Sequence, residues 1–312
     1  MSSFDQYRAL RDSAAWVERE DLGRLRLSGH DRRSYLHGLL TNDIESLAPG
    51  TGVYAALLTA QGRMISDMHV YEVGDDVIVT LPRPLTAAIR DRLEQFVFSE
   101  DVQVEDVTDS TIQIGVYGPS ADEAVHSLRH GQVDSVLPSR AFGIDGVEVI
   151  TVSARLQDVI ASVEATGAGR AALDTLEVVR VEEGVPRFLV DMTDATIPLE
   201  AGIESRAISM TKGCYPGQEV IVRVLHRGGG RVARKLVGIE MAVDAATPIA
   251  GALLHSAARE IGFLTTVVHS WRLGRPLALG YVHRDFALPG IRVDIDLPDG
   301  TRAPAEIHAL PF

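Results

Sequence analysis

Apolar and polar positions along this chain fall into two textures, with the change near Val232. In the first, LGRLRLSG (22–29) alternates as a half-buried strand does. A helix precedes it and a second helix opens near Asp31. VYAALLT and RMISDMHVYEV are further strand-like runs separated by Ala60-Gln61-Gly62, and a Gly-Asp-Asp turn leads on to VIVTLP. PLTAAIRDRLEQFVF has helical spacing, with Pro84 suited to its first turn. QVEDVT, TIQIGVYG and VEVITV read as strands, and helices are expected from Pro119-Ser120, over 156–165 and over 171–183. The elements keep no strict βαβ rhythm and the turns are close, which predicts an α+β body with antiparallel pairing.

In the second texture RKLVGIEM, ALLHSA, EIGFLTTVVHS, PLALGYVH, IRVDIDL and APAEIHAL are short β-rich runs broken by Gly, Pro and Asp. Their even spacing predicts a small closed β-barrel of about 75 residues. The expected division is therefore an α+β region over 1–231 and a barrel domain over 232–312. No internal repeat is visible.

Composition narrows the function. The net charge of −13 over 312 residues argues against general affinity for nucleic acid, whose phosphates need a basic face. A hydrophobic share of 46% and a mean hydropathy of +0.08 describe a folded globular chain. One cysteine excludes an internal disulfide framework, and the ten histidines show no metal-ligand spacing, so no metal site is assigned. The N-terminus lacks the apolar core of a signal peptide, and no apolar run approaches the roughly 18 residues that span a bilayer. A cytoplasmic protein without membrane contact is expected.

Against this acidic background, 206–235 carries seven cations (Arg206, Lys212, Arg223, Arg227, Arg231, Arg234, Lys235) and one acid, Glu219. Such a reversal attracts an anionic ligand, or is simply a solvated loop face. Both lysines of the chain lie here among 30 Lys plus Arg, which points to a need for a compact ammonium at Lys212. Gly213 and Gly217 bracket Cys214-Tyr215-Pro216 in a tightly shaped turn. Cys214 is either a thiol activated by Lys212 or a small buried hydrophobe. His226 is the only histidine close in sequence, with no third group to complete a nucleophilic arrangement. The Gly228–Arg231 run lacks the Lys-Ser/Thr of a P-loop.

KGCYPGQE (212–219) resembles the K-G-C-[YF]-x-G-Q-E signature of YgfZ-type proteins, folate-binding relatives of the glycine-cleavage T-protein. LTNDIESLAPGTGVYAALLTAQGRMISDMHVY (40–71), EVVRVEEGVPRFLVDMTDATIPLEAGI (177–203) and LALGYVHRDFALPG with the terminal ALPF are similar to further segments of that family. The resemblance thus covers nearly the whole chain. It implies an α+β, three-domain ring: two related α+β units and a C-terminal small β-barrel around a folate channel. It also implies tetrahydrofolate as ligand and a part in iron–sulfur cluster assembly or repair, with assembly proteins or cluster-containing client enzymes as partners. The alternative is a folate-dependent aminomethyltransferase or demethylase acting on a small methylamine, and whether the chain is an enzyme stays open.

By the same resemblance Glu200 matches the acid that accepts from the donor-rich edge of a pterin; its plain alternative is a helix N-terminal carboxylate. Asp67 faces the folate or is an ordinary strand residue. Tyr54, Met64 and Met68 supply apolar walls or are core. Arg223, Arg227 and Arg231 meet the glutamate tail, Arg223 foremost. Lys212, Cys214 and Tyr215 form the functional turn. The T-protein pattern has two adjacent acids where this chain has Ser66-Asp67. That loss weighs against one-carbon transfer and leads to the iron–sulfur maturation role as the expectation.

Overall fold

Alternation and turn chemistry are realised over most of the chain in a computed structural model that describes residues 1–130, 135–227 and 229–312. The residues fall into two units, 1–172 with 205–218 and 173–204 with 219–312.

The first unit holds α1 (Ser3–Asp12), β1 (Ala15–Glu18), β2 (Leu22–Ser28), α2 (Arg32–Leu39), β3 (Gly52–Leu58), β4 (Met64–Glu72), β5 (Val77–Pro82) and α3 (Thr86–Glu94). It continues through β6 (Gln103–Asp106), β7 (Thr111–Tyr117), α4 (Ala121–Ala124), β8 (Ser135–Ser139), β9 (Gly146–Val152), α5 (Leu156–Glu164) and β10 (Gly169–Arg170). Two five-stranded sheets result, in the orders β3-β4-β5-β2-β6 and β10-β1-β7-β9-β8. Pairing is antiparallel except between β1 and β10. Leu25, Leu27, Met68, Val70 and Val79 bury one face of the first sheet under Leu36, Ile89 and Leu93 of its helices. Trp16, Ile114, Val116 and Val149 do the same for the second under Val159 and Val163.

The chain does contain a repeat, in its structure. After β5 a short 3-10 turn, Arg83–Leu85, runs into the nine-residue α3; after β9 the turn Ser153–Arg155 runs into the nine-residue α5. The apolar spacing recurs, with Ile89 and Leu93 standing where Val159 and Val163 stand, and each helix ends in Glu, while the other positions differ. Three strands escape the sequence pattern, among them the two-residue β10. AWVE of β1 lies between two neighbours and is buried at three consecutive positions, so it shows no alternation. β8 carries Pro138, which an edge strand tolerates, and it is an edge.

The second unit holds α6 (Leu173–Glu182) and a closed barrel of β11 (Arg234–Met241), β12 (Leu253–Ser256), β13 (Arg259–Ser270), β14 (Arg275–His283), β15 (Arg292–Asp296) and β16 (Arg302–His308), in the order β11-β14-β13-β12-β15-β16. One-turn helices α7 (Pro198–Ala201), α8 (Glu204–Ala207) and α9 (Gln218–Val222) occur between α6 and the barrel. Val237, Ile239, Leu254, Leu264, Val293 and Ile307 fill the barrel. Helix α6 is buried nearly all round, and its Val181 packs on Leu277 and Leu279 of β14. Arg180 comes with it, 1% exposed, donating to Asp191 Oδ2 at 2.6 Å, Val185 O at 2.6 Å and Glu177 Oε2 at 2.8 Å. Asp191 also accepts from Thr265, Thr266 and the Arg187 amide. The RVEEGVPR stretch, prominent in the resemblance, thus fastens α6 to β13.

Candidate functional site

Strands β3 and β4 pair with Tyr54 opposite His69 and Ala56 opposite Asp67. The period of two puts Asp67, His69 and Tyr71 on one face of β4. There the Tyr54 hydroxyl donates to Asp67 Oδ2 at 2.8 Å, and the His69 ring lies 5.1 Å from the Tyr54 ring and 6.1 Å from Tyr71. The Arg206 guanidinium caps Tyr54 at 4.5 Å, within cation–π range. Asn42 Nδ2 donates to the carbonyls of Tyr54 and Arg206, both at 2.9 Å, and so holds the cap on its ring.

Burial, then the Asp67 charge, hold the Tyr54 phenol well above its ordinary value, so it stays a donor. Burial, helped by Arg206 and Arg19, pushes His69 down to about 3, so its ring is neutral at pH 7. Met64 and Met68 are 0% and 1% exposed, and Met68 belongs to the core beneath the sheet. Ser66 is fully buried and donates to the Asp67 carbonyl, which leaves Asp67 as the carboxylate that meets Tyr54.

Segment 205–218 lies on this unit. Thr41 Oγ1 donates to Ala207 O at 2.6 Å, and the Ser209 amide donates to Thr41 O at 3.0 Å. Gly217 has φ +83°, and a Cβ there would stand 2.5 Å from Thr59 O, so the segment seats on the β3–β4 turn through a position only glycine fills. Between these anchors Lys212 Nζ donates to His37 O and to Leu40 O, with the Tyr215 ring 5.0 Å away. Burial lowers the Lys212 ammonium to about 8 despite Asp43 and Glu45, and raises Tyr215 to about 12. Cys214 is a free, exposed thiol rather than a buried hydrophobe.

In the second unit Glu200 sits in the first turn of α7, where Oε2 accepts from the Ile197 amide at 3.4 Å and from Arg234 Nε at 3.2 Å. Its Oε1 accepts no hydrogen bond among the described residues. Arg234 also reaches Ala195 O at 3.3 Å and lies 4.7 Å over the Tyr281 ring. Arg223 and Arg231 are exposed, and the Arg227 side chain lies outside the described residues. Sequence reasoning gave no role to Asn42 or His69, and counted Arg206 and Arg234 only as members of the cationic stretch. His69 was recoverable, two positions beyond Asp67 on the same strand face. Among the described residues no group of three or more His, Cys, Asp or Glu is arranged to hold a metal, and no helix is long and apolar enough to cross a membrane.

This α+β frame with its six-stranded barrel is one already known. Residues 2–152 match the GCVT N-terminal domain, and residues 234–312 match the glycine cleavage T-protein C-terminal barrel domain. The chain belongs to the superfamily of the glycine-cleavage T-protein and the YgfZ-type proteins. It is similar to the aminomethyltransferase of Geobacillus kaustophilus, 28% identical over 99% of this chain and 89% of that protein. To the aminomethyltransferase of Synechocystis it is 28% identical, over 94% of this chain and 83% of the relative. The crystal structure of glycine cleavage system aminomethyltransferase T from Bartonella henselae has the same fold, with TM-score 0.87, 19% identity, and coverage of 99% of this chain and 89% of that one. These relatives overturn the expected role in iron–sulfur cluster assembly or repair. They are named for aminomethyl transfer, and nothing in them points to cluster-assembly proteins or clients. Ser66 removes one acid of the T-protein pair, and Asp67 keeps the adjacent carboxylate, hydrogen-bonded to Tyr54.

Proposed function

We propose that the protein is a tetrahydrofolate-dependent aminomethyltransferase or demethylase that moves a one-carbon unit at the formaldehyde level from an aminomethyl donor to tetrahydrofolate. The donor leaves as its free carrier and ammonia. A plain N-methyl group of a small methylamine reaches that level only with a separate two-electron acceptor. The observation that carries this reading is the relation to aminomethyltransferases along the whole chain, at 28% identity over 99% of its length. Two carboxylates support it by their donor chemistry. Glu200 Oε1 accepts no hydrogen bond among the described residues and suits a pterin edge, and the Asp67 carboxylate accepts from a protonated phenol. In this reading Tyr54 and Arg206 orient Asp67, which takes the acid–base work that the adjacent acid shares in the T-protein pattern. Met64 backs the sheet from its buried side. Arg223, Arg227 and Arg231 attract the glutamate tail, and Lys212, Cys214 and Tyr215 form the turn that meets the donor. We infer the YgfZ-like branch of the superfamily from KGCYPGQE, and keep 231/232 as the boundary between the folate-binding region and the barrel domain.

The test is a titration of tetrahydrofolate into wild type, Asp67→Asn and Glu200→Gln, followed by incubation with candidate aminomethyl donors, and with methylamines plus an added two-electron acceptor, and assay of methylenetetrahydrofolate. Tight folate binding with product from at least one amine, reduced in both variants, is expected. Folate binding with no product from any amine would make the protein a folate-binding module instead.

A further inference from the structure

We propose that Lys212 is a positioning residue: its ammonium pins the Gly213–Cys214–Tyr215 turn to the carbonyl end of α2 and thereby sets where the Cys214 thiol and Tyr215 phenol stand. The inference rests on the proposed function only in giving that turn a part in the transfer. An ammonium has three N–H donors and no acceptor. Here two point at His37 O and Leu40 O, and the Tyr215 ring lies 5.0 Å from the nitrogen. The last carbonyls of a helix have no partner within it and carry the negative end of its dipole, so a cation is favoured there. A nitrogen so occupied is unsuited to act as a nucleophile.

A planar guanidinium presents its donors in a fixed fork and does not replace a point charge between two carbonyls and a ring. That accounts for a lysine at this position in a chain with two lysines among 30 Lys plus Arg. The groups facing the ammonium are His37 from α2, Asp43 and Glu45 from the following loop, and Cys214 and Tyr215 from its own turn. His37 turns its Nδ1 away, toward the Ile44 and Glu45 amides at 3.3 and 3.4 Å and Asp43 Oδ1 at 3.2 Å. The carboxylates favour the charge, but burial outweighs them and brings the group to about 8. The pin is therefore charged at pH 7 and weakens above about pH 8, when its hydrogen bonds lose charge assistance.

Having two lysines makes the test direct, because lysine labelled with ¹³C at Cε gives two resonances in the intact protein. One should titrate near pH 8, and exchange of the Lys212 and Gln218 amides, which donate to Ser209 Oγ and Tyr215 O, should accelerate across the same interval beyond its intrinsic pH dependence. At pH 7 Lys212→Met should speed exchange there about 30-fold, equivalent to about 2 kcal/mol at 1.36 kcal/mol per tenfold, with amides 207–209 unchanged. Rebuilding the ammonium with 2-bromoethylamine on Lys212→Cys, in a Cys214→Ser background, should restore protection. In the transfer assay Lys212→Met should lower kcat while the tetrahydrofolate Kd stays within about twofold, a positioning effect by its kinetic signature. Two lysines titrating together near the ordinary value of about 10.4 would overturn the proposal. So would unchanged exchange in Lys212→Met, or a loss of folate affinity equal to the loss of kcat. If wild type turns over no donor, the proposed function fails, and the resonance and exchange measurements still decide the pin.

Discussion

Replacing Arg180 with methionine tests whether the RVEEGVPR stretch builds the fold or serves the ligand. The side chains of Arg180 and Asp191 are 2% and 0% exposed and meet at 2.6 Å. Removing one partner of such a pair strands the other charge, which costs about 3–5 kcal/mol. The lower end applies, because Asp191 keeps Thr265, Thr266 and the Arg187 amide, and Glu177 keeps Arg187 at 2.9 Å. A loss of about 3 kcal/mol raises the unfolded-to-folded ratio by about 10². Each unit carries one of the two tryptophans, Trp16 in the first and Trp271 in the second. Denaturant unfolding in a Trp16→Phe background, followed by Trp271 fluorescence, therefore reads the barrel unit alone. Adding Asp191→Asn should recover part of the loss, since no unpaired charge then stays buried. A loss below about 1 kcal/mol, or weakened folate binding by the still-folded variant, would refute the assignment of this motif to the fold.

Gly217→Ala should unseat the turn bearing Cys214, because the new Cβ meets Thr59 O at 2.5 Å in a conformation with φ +83°. The expected cost is about 1–3 kcal/mol, read as lower thermal stability of the first unit and faster alkylation or proteolysis over 209–218. Unchanged stability would mean the segment does not sit on the β3–β4 turn. The folded pKa of His69, about 3, lies below its ordinary value of 6.5, so between those values the unfolded chain binds a proton that the folded chain refuses. Stability should fall as pH drops from about 6.5 toward 3, with a shallower slope in His69→Gln; equal slopes would show that His69 is not buried as a neutral ring.

The barrel was the most legible part of the fold, since its six strands each alternate or stay apolar for a few residues and, except at the Ala257-Ala258 turn after β12, stop within a few residues of Gly, Pro or Asp. The first unit was legible wherever polar and apolar residues alternate along a strand, as in β4, and not at β1, which is buried at three consecutive positions. Its internal repeat was hidden because a helix packed on a sheet needs only apolar volume at set positions. Ile89 and Val159, or Leu93 and Val163, satisfy that need equally well without sequence identity.

The site was less legible because residue type records what a side chain can do and not which partner occupies it. Asn42 and Arg206 are 164 residues apart, and nothing near either announces that one holds the other over Tyr54. The cationic stretch 206–235 makes the point sharply. Counted by charge it is a strong positive patch, yet Arg206 lies on the Tyr54 ring, Lys212 on two helix carbonyls and Arg234 on Glu200. The cations that remain exposed among the described residues are Arg223, Arg231 and Lys235. Arg206 and Lys212 keep their charge but are held by neutral partners, and Arg234 is offset by Glu200, so fewer side chains are free to meet an anionic tail directly than the count of seven suggests. Salt should therefore weaken the binding of a polyglutamated folate only modestly relative to the monoglutamate. The part of the affinity that salt leaves untouched should come from the carboxylates Glu200 and Asp67, whose partners are within hydrogen-bond reach and poorly screened.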